Sequence, residues 1–201
     1  MKERAVPEEF IQQVFRKRKA ATQKMATDGF DEKSMYLEFL RHTPVVATYG
    51  TAGLNLAVKG IGFVLKEHFM HGALVRLKQF IKINHSRKEA LDYLLKHVYE
   101  EEKVDFERLS TLELAKKHTF QNIGENRKAT LMFFIPPDTS YEVRCNVEIH
   151  VDGVYHEYVN ALHDLFHRPE TGRDWSQTPA YIFSIQEIYD NSPRKMGKQL
   201  Y

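Results

Sequence analysis

Four consecutive residues combine basic side chains with a hydroxyl group: Lys116, Lys117, His118 and Thr119. Lysine ammonium groups and a threonine hydroxyl beside a helix turn can hold a phosphate dianion through charge-assisted hydrogen bonds. Asn122 follows at a spacing that suits a helix anchor. A pair of lysines on a helix is also common on a solvated surface. The stretch therefore indicates either a phosphate site or an exposed helix face.

Three histidines offer a second possible chemistry. His156, His163 and His167 are separated by seven and four residues, which places them on one face of a helix. Two histidines four residues apart can bind a divalent metal when a third ligand is near. No glutamate completes an HExxH pattern, so the sequence does not indicate a hydrolytic zinc site. The alternative is that these side chains lie at the edge of the core or in an interface.

A nucleophilic active site is not indicated. The single cysteine, Cys145, lies in an apolar, β-branched run, which is typical of a buried and inert thiol. The chain has no GxSxG motif that would present a serine nucleophile. With one cysteine, disulfides cannot contribute to the fold.

The composition is that of a globular protein, since 42% of the 201 residues are hydrophobic and 28% are charged. A net charge of +2 is too even to require nucleic acid or an anionic membrane as a partner. No run approaches the roughly 20 apolar residues of a membrane span. The charged first residues do not resemble a secretory signal. We therefore expect a cytoplasmic protein that binds neither nucleic acid nor membrane.

Two helices are predicted at the N-terminal end. Pro7 and the acidic residues after it suit a first helical turn, and the helix should run to about Met25 before Gly29 breaks it. A second, short helix is expected from Asp31, as its N-cap, to Pro44.

The next segments change from strand-like to helical patterns. Residues 45–75 contain short β-prone runs that we expect to form three strands, namely VVATYG, NLAVKGIGFVL and FMHGALV. Residues 76–126 have a helical pattern, with predicted capping boxes that begin at Ser86 and Ser110.

Strand patterns return in the last third of the chain. Residues 129–135, 141–151 and 180–190 are predicted strands, and apolar and polar residues alternate along the second of them. A helix is predicted over 154–167. Six antiparallel strands with helices inserted between them fit a small closed or half-closed β-barrel of the α+β class better than a parallel sheet.

Four passages of the chain follow one another in an order found in a known family. They are TPVVATYGTAGLNLAVKGIGFVL, KHTFQNIGENRKATLMFF, YEVRCNVEIHVDGVYHEYVNAL and AYIFSIQEIYDNSPRKMGKQL, and they cover residues 43–75 and 115–192. They resemble the opening hairpin, the phosphate-side helix with its strand, the following strand, turn and helix, and the closing strand of one fold. That fold is the FMN-binding split barrel of the family related to pyridoxamine 5'-phosphate oxidase.

The resemblance implies an α+β fold with a six-stranded antiparallel split β-barrel, N-terminal helices and a helical insertion. It also implies a homodimer with FMN bound at two equivalent sites across the interface. Lys117, His118 and Thr119 fall where the family places its phosphate-binding Ser/Thr, Arg and Lys, although the order of residue types differs. Lys59 and Gly60 fall where the family's backbone and a side chain approach the isoalloxazine ring.

The chain departs from the family by a helical insertion at about 76–114. The family normally runs almost directly from strand to phosphate helix. Arg76 and Lys78 lie where that direct connection would begin, so either they or Lys117 could meet the phosphate. Three parts are therefore expected: an N-terminal helical extension (1–42), a split-barrel domain with the insertion (43–192) and a C-terminal tail (193–201).

The expected activity is that of an FMN-dependent oxidoreductase acting on a small-molecule substrate or electron donor that the sequence does not identify. The chain ends in RKMGKQLY and lacks the basic substrate motif of true pyridoxamine phosphate oxidases. A flavin reductase or an electron-transfer flavoprotein fits as well. The alternative is a non-catalytic or haem-binding split barrel with a degenerate flavin site, because one fold hosts several functions.

Overall fold

An eight-stranded antiparallel sheet forms the centre of the computed structural model, which describes residues 5–29, 38, 40–167 and 173–201. Along the sheet the strand order is β2-β1-β5-β6-β7-β4-β3, and β8 pairs with β7. Within the described ranges β2 and β3 are the two ends of this order and do not pair with each other, so the sheet is curved but not closed. The strands are β1 (Val45–Gly50), β2 (Gly53–Val58), β3 (Gly62–Leu65), β4 (Val104–Leu112), β5 (Lys128–Ile135), β6 (Thr139–His150), β7 (Ala180–Asp190) and β8 (Lys198–Gln199).

Helices cover the ends and one side of the sheet. The helices Glu67–Ile81 and Arg87–His97 pack against the helix Gly153–His167, which itself packs on β7, β4 and β6. The helix His118–Glu125 packs on β1 and β2. None of the helices in the described part of the chain has the length and apolarity needed to cross a membrane. The helices are α1 (Glu8–Ile11), which continues through a π-helical turn (Gln12–Arg16) into α2 (Lys17–Asp28), then α3 (Glu67–Ile81), α4 (Arg87–His97), α5 (His118–Glu125) and α6 (Gly153–His167).

Much of the predicted secondary structure is confirmed. The predicted strands 129–135, 141–151 and 180–190 correspond to β5, β6 and β7, and the predicted helix 154–167 to α6. The Cys145 thiol is buried, as expected, and burial raises its pKa well above the usual range. The capping box at Ser86 is present, because its hydroxyl accepts from the Glu89 N–H while the Glu89 carboxylate accepts from the Ser86 N–H.

Two segment predictions are wrong, and they cancel in the strand count. The sheet has eight strands instead of the predicted six because one predicted strand is divided in two and a short strand is added near the C-terminus. The run FMHGALV lies in α3, where Met70, Ala73, Leu74 and Leu77 are buried at helical spacing. The segment around Ser110, which was predicted as the start of a helix, is strand β4, and it pairs with β3 and β7.

The strands also differ from the prediction in their boundaries and number. The predicted single strand NLAVKGIGFVL is interrupted at 59–61 and forms β2 and β3, while β8 adds a short strand in the predicted tail. The helix predicted from Asp31 falls almost entirely on residues outside the described ranges. The division into extension, barrel and tail stays a prediction.

The N-terminal helix fills the interior of the curved sheet. The Phe10 side chain is completely buried, and its ring makes edge-to-face contacts with Phe63 on β3, Phe133 on β5 and Tyr141 on β6, at centroid distances of 6.5, 5.7 and 5.3 Å. Five residues on, Phe15 contacts the ring of Phe63 at 5.9 Å. One helix therefore joins strands from both halves of the open sheet.

His42, just before β1, makes stability sensitive to acid. Its carbonyl accepts from the Ile61 N–H at 2.6 Å, and burial, with a smaller effect of Arg18, lowers the pKa of its imidazole to about 3. Unfolding would restore an ordinary pKa of about 6.5, so between these values only the unfolded state binds the proton. The contribution of His42 to stability is complete above the unfolded pKa and falls as the pH drops towards 3.

Between pH 7 and pH 5, we expect the free energy of unfolding of wild type to fall by about 2 kcal/mol more than that of His42→Gln. Urea unfolding of both proteins at several pH values measures this difference, and other titrating groups cancel in the comparison. A constant difference across the range would show that His42 takes up its proton in the folded state.

Candidate cofactor site

Helix α5 is fixed to the β1–β2 hairpin by Asn122, as the sequence predicted. This fully buried side chain accepts from the Ala52 N–H at 3.1 Å and donates to the Gly53 carbonyl at 2.8 Å. Glu125, one turn later, accepts from the Thr51 N–H at 2.7 Å. A Cβ at Gly50 would lie 2.8 Å from the Asn122 Oδ1 atom, so glycine permits the close approach of strand and helix.

A buried ion pair joins the end of β2 to the loop before α5. The Lys59 ammonium group lies 2.9 Å from the Glu113 carboxylate, whose side chain is 2% exposed. The other carboxylate oxygen accepts from the N–H groups of Ala115 and Lys116 at 3.0 and 2.9 Å. Lys116 has a φ of +48°, so the carboxylate holds the loop in a left-handed turn that leads into α5.

Two further hydrogen bonds connect the same elements. The Asn55 amide on β2 donates to the Thr119 hydroxyl at 2.8 Å, and the Thr111 hydroxyl on β4 donates to the Gly60 carbonyl at 2.7 Å. The structure thus brings together five of the predicted site residues, although they come from two distant parts of the sequence: Lys59, Gly60, Lys117, His118 and Thr119.

The start of α5 has basic side chains and no cap. Lys117 occupies the N-cap position and makes no side-chain capping hydrogen bond. The side chains of Lys116, Lys117 and His118 are exposed and make no hydrogen bond or ion pair with the described residues. The first N–H groups of a helix have no intrahelical acceptor, and the helix dipole adds positive potential there. This end of α5 can therefore accept an anion without breaking an existing contact.

Arg76 and Lys78 lie on a different part of the molecule. Both are on α3, which packs on α6. The Lys78 ammonium group forms an ion pair of 2.9 Å with Glu157 and lies 5.7 Å from the centre of the Trp175 ring. The helical insertion thus separates these two cations from the β2–α5 region instead of adding them to it.

The three histidines of α6 have different surroundings. His156 is buried, and its Nε2 atom lies 2.9 Å from the Trp175 carbonyl and 3.1 Å from the Thr178 carbonyl. His163 and His167 stack on each other at 4.4 Å. Burial lowers the pKa of His163, and a hydrogen bond to Asp164 opposes that effect. In the part of the chain that the structure describes, no group of three His, Cys, Asp or Glu side chains could hold a metal ion.

The sequence analysis missed an apolar row on the outer face of the sheet. Leu54, Leu56 and Val58 are exposed on β2, where they alternate with Asn55 and Ala57. The register of the β1–β2 pair places Tyr49 beside this row, and exposed Met132 and Phe134 lie on β5. The alternation is visible in the sequence, but only the sheet order shows that this face is left uncovered by the described elements.

A groove of about 400 Å³ lies on this outer face, towards the hairpin. Tyr49 and Leu54 line its apolar side, and Lys128, Thr130 and Arg144 its polar side. The Arg144 guanidinium is held by Glu142 and Glu187 at 2.7 and 3.1 Å, so its charge is already partnered.

A comparison with models of known protein families finds no match, and a comparison with curated proteins finds none either. Among solved structures the chain is similar to HupZ of Group A Streptococcus (14% identity, TM-score 0.49, 86% of this chain and 99% of that chain). It is also similar to a Clostridium acetobutylicum protein related to general stress protein 26, of the pyridoxinephosphate oxidase family (14%, 0.47, 85% and 94%). A third is an FMN-binding protein of Syntrophomonas wolfei (10%, 0.46, 92% and 93%). At identities of 10–14%, these three likenesses concern the fold alone.

Proposed function

We propose that the chain is an FMN-binding flavoprotein that holds the FMN phosphate at the start of α5. The observation that carries the proposal is the uncapped N-terminus of α5 with the exposed side chains of Lys116, Lys117 and His118 beside it. These groups offer charge and N–H donors to a dianion in a small volume.

The neighbouring contacts make this region rigid before a ligand arrives. Glu113 fixes the loop through two N–H groups and Lys59, and Asn55 fixes Thr119. The Thr119 hydroxyl accepts from Asn55 and keeps its own hydrogen for donation. Because the loop backbone and the Thr119 hydroxyl are already ordered, only the exposed side chains of Lys116, Lys117 and His118 would lose freedom when a phosphate binds.

Space for the flavin ring is supported by the free edge of β2. A Cβ at Gly60 would meet nothing within 4 Å, so the region beside this residue is open. Leu54, Leu56 and Val58 offer an apolar surface about 13 Å long on the same strand. Flavin sites combine such apolar surface with a few polar groups.

We further propose that a second copy of the chain covers the apolar row and completes the site. An exposed row of this kind is unusual for a monomer and typical of an interface. Size-exclusion chromatography with light scattering measures the mass directly. A monomer of 23.6 kDa at micromolar concentration would contradict the shared site.

When bound, FMN would supply one- or two-electron transfer, so an oxidoreductase is the proposed class. The substrate and the electron donor follow from neither the fold nor the site. Titration of the flavin-loaded protein with NADH and with NADPH, monitored by the loss of flavin absorbance, would identify the electron donor.

The double variant Lys117→Gln/His118→Gln tests the phosphate site. We expect it to bind FMN about 10–100-fold more weakly, because it loses the charge-assisted hydrogen bond of Lys117 and the hydrogen bond of His118 to the phosphate. Riboflavin, which lacks the phosphate, should bind wild type and variant equally. Fluorescence quenching of both ligands gives the four dissociation constants.

Lys17→Gln/Lys24→Gln is the matched control, because it removes two exposed cations from α2. It should bind FMN as wild type does, apart from weak screening by salt. If Lys117→Gln/His118→Gln bound FMN as tightly as wild type does, the phosphate would bind elsewhere. A Soret band after addition of haemin, without flavin binding, would favour the haem alternative.

A further inference from the structure

The groove on the outer face of the sheet owes its shape to a difference in side-chain size along one row. Ala47 on β1 pairs with Thr130 on β5, and Thr130 pairs with Arg144 on β6, so these side chains lie next to one another on that face. The short side chains of Ala47 and Thr130 form the floor of the groove, and the long Arg144 side chain forms one wall. The result is a slot of about 400 Å³, a volume that suits a small molecule.

An exposed aromatic ring forms the opposite wall. Tyr49 pairs with Leu54 across the β1–β2 hairpin, and the two residues are 66% and 75% exposed. The Asn126 amide donates to the Tyr49 carbonyl at 3.4 Å, which connects this wall to the segment that follows α5. A flat ring that enters the slot covers apolar surface of Tyr49 and Leu54 and can stack on the phenol ring. The wall therefore favours a planar, aromatic ligand.

Lys128 carries the uncompensated positive charge among the described residues that line the groove. Its side chain is exposed and makes no ion pair within the described ranges. The Arg144 guanidinium, in contrast, is shared between the carboxylates of Glu142 and Glu187 at 2.7 and 3.1 Å. The groove thus offers one free positive charge, and the two carboxylates around Arg144 repel a second negative charge on a ligand. A ligand with a single negative charge is favoured.

Two uncharged side chains beside Lys128 can recognise a polar atom of a ring. Asn146 on β6 lies directly opposite Lys128 in the β5–β6 ladder. Neither the Asn146 amide nor the Thr130 hydroxyl has a hydrogen-bond partner among the residues that the structure describes. A side-chain amide offers two N–H donors and an acceptor, and a hydroxyl offers one donor and an acceptor. These groups suit a ring that contains a heteroatom.

We propose that this groove binds a small, planar nitrogen heterocycle that carries one carboxylate group. The ring lies on the floor of the slot against Tyr49, the carboxylate pairs with Lys128, and the Asn146 amide donates to the ring nitrogen. Each of these three side chains thus recognises one feature of the ligand. Asn126 follows α5 and also lines the groove, so the groove lies at the opposite end of this helix from the proposed phosphate site. The inference therefore does not rest on FMN binding.

Nicotinate and three related compounds test the site on the full chain. Nicotinamide lacks the negative charge, benzoate lacks the ring nitrogen, and cyclohexanecarboxylate lacks both the nitrogen and the flat ring. We expect nicotinate to bind with a dissociation constant of about 1 mM or below, and each related compound to bind about 3–10-fold more weakly. Titrations followed by NMR signals of the ligand give the four dissociation constants.

Each variant of the groove should abolish the preference for one feature of the ligand. Lys128→Gln should bind nicotinate and nicotinamide equally, Asn146→Ala should bind nicotinate and benzoate equally, and Tyr49→Leu should bind benzoate and cyclohexanecarboxylate equally. Tyr49→Phe retains the ring and should keep the wild-type affinities. Lys198→Gln removes an exposed cation from β8, and as the matched control it should keep them too. All four side chains are exposed, so the variants should fold as wild type does.

Three results would overturn the proposal. The first is the absence of saturable nicotinate binding at millimolar concentrations. The second is an equal dissociation constant for nicotinate and cyclohexanecarboxylate in wild type, which would mean that any carboxylate binds. The third is a loss of nicotinate affinity in Lys117→Gln/His118→Gln as large as that in Lys128→Gln, which would place the ligand at the start of α5. A wild-type affinity of that double variant for nicotinate would support a separate site, whether or not it binds FMN.

Discussion

Phe10→Ala should destabilise the protein by about 3–5 kcal/mol, which corresponds to a fall in melting temperature of about 6–20 °C. The completely buried Phe10 ring contacts Phe63, Phe133 and Tyr141, which lie on three strands from the two halves of the open sheet. The substitution removes apolar contact area and leaves a cavity that the paired strands cannot easily collapse to fill. Urea unfolding measures the change in free energy.

Phe10→Leu and Phe166→Ala are the controls for this prediction. Leucine retains most of the apolar volume at position 10, so the first change should cost less than about half as much. Phe166 is 43% exposed on α6, and its truncation should cost under about 1 kcal/mol. If Phe10→Ala also cost under about 1 kcal/mol, the N-terminal helix would not fill the sheet in solution.

Lys59→Met should cost about 3–5 kcal/mol, because it leaves the buried Glu113 carboxylate without a cation. Glu113 keeps its hydrogen bonds from Ala115 and Lys116, but these N–H groups carry no full charge. The Lys59 side chain is only 13% exposed, so water cannot easily take the place of its ammonium group. The loss of stability is measured by urea unfolding at pH 7.

A double-mutant cycle with Glu113→Gln separates the ion pair from other effects of the substitution. The double variant should be more stable than Lys59→Met alone, since a neutral amide is less costly to bury than an unpaired carboxylate. Lys88→Met is the matched control, because Lys88 pairs with Asp92 on the exposed face of α4. It should cost less than about 0.5 kcal/mol. Equal effects of the two lysine changes would show that Glu113 is solvated.

The sequence correctly predicts strands in which one face is apolar and buried and the other is polar. In β6, buried Val143, Cys145 and Val147 alternate with polar residues, and its predicted position agrees with the structure. The run FMHGALV has no such alternation, and its β-prone residues are overridden by the helical spacing of Met70, Ala73 and Leu74. Local composition alone could not separate these two cases.

Tertiary partners explain what the sequence could not show in β4 and at the site. The spacing of Ser110 and Glu113 imitates a capping box, yet the Ser110 hydroxyl donates to the Gly62 carbonyl and Glu113 binds Lys59. Both partners are about fifty residues away in the chain. Lys117, His118 and Thr119 could be singled out from their types, whereas the separation of Arg76 and Lys78 from them depends on how α3 packs.

The position of β7 has a consequence for how the protein is made. This strand follows β1 to β6 in the chain, lies between β6 and β4 and pairs with both. Until it is synthesised, the nascent chain has two incomplete sheets, β2-β1-β5-β6 and β4-β3, with unpaired edges facing each other. Such edges invite aggregation. Productive folding of the sheet must therefore wait until β7 has been synthesised, and chaperones that shield strand edges would act on this protein during that interval.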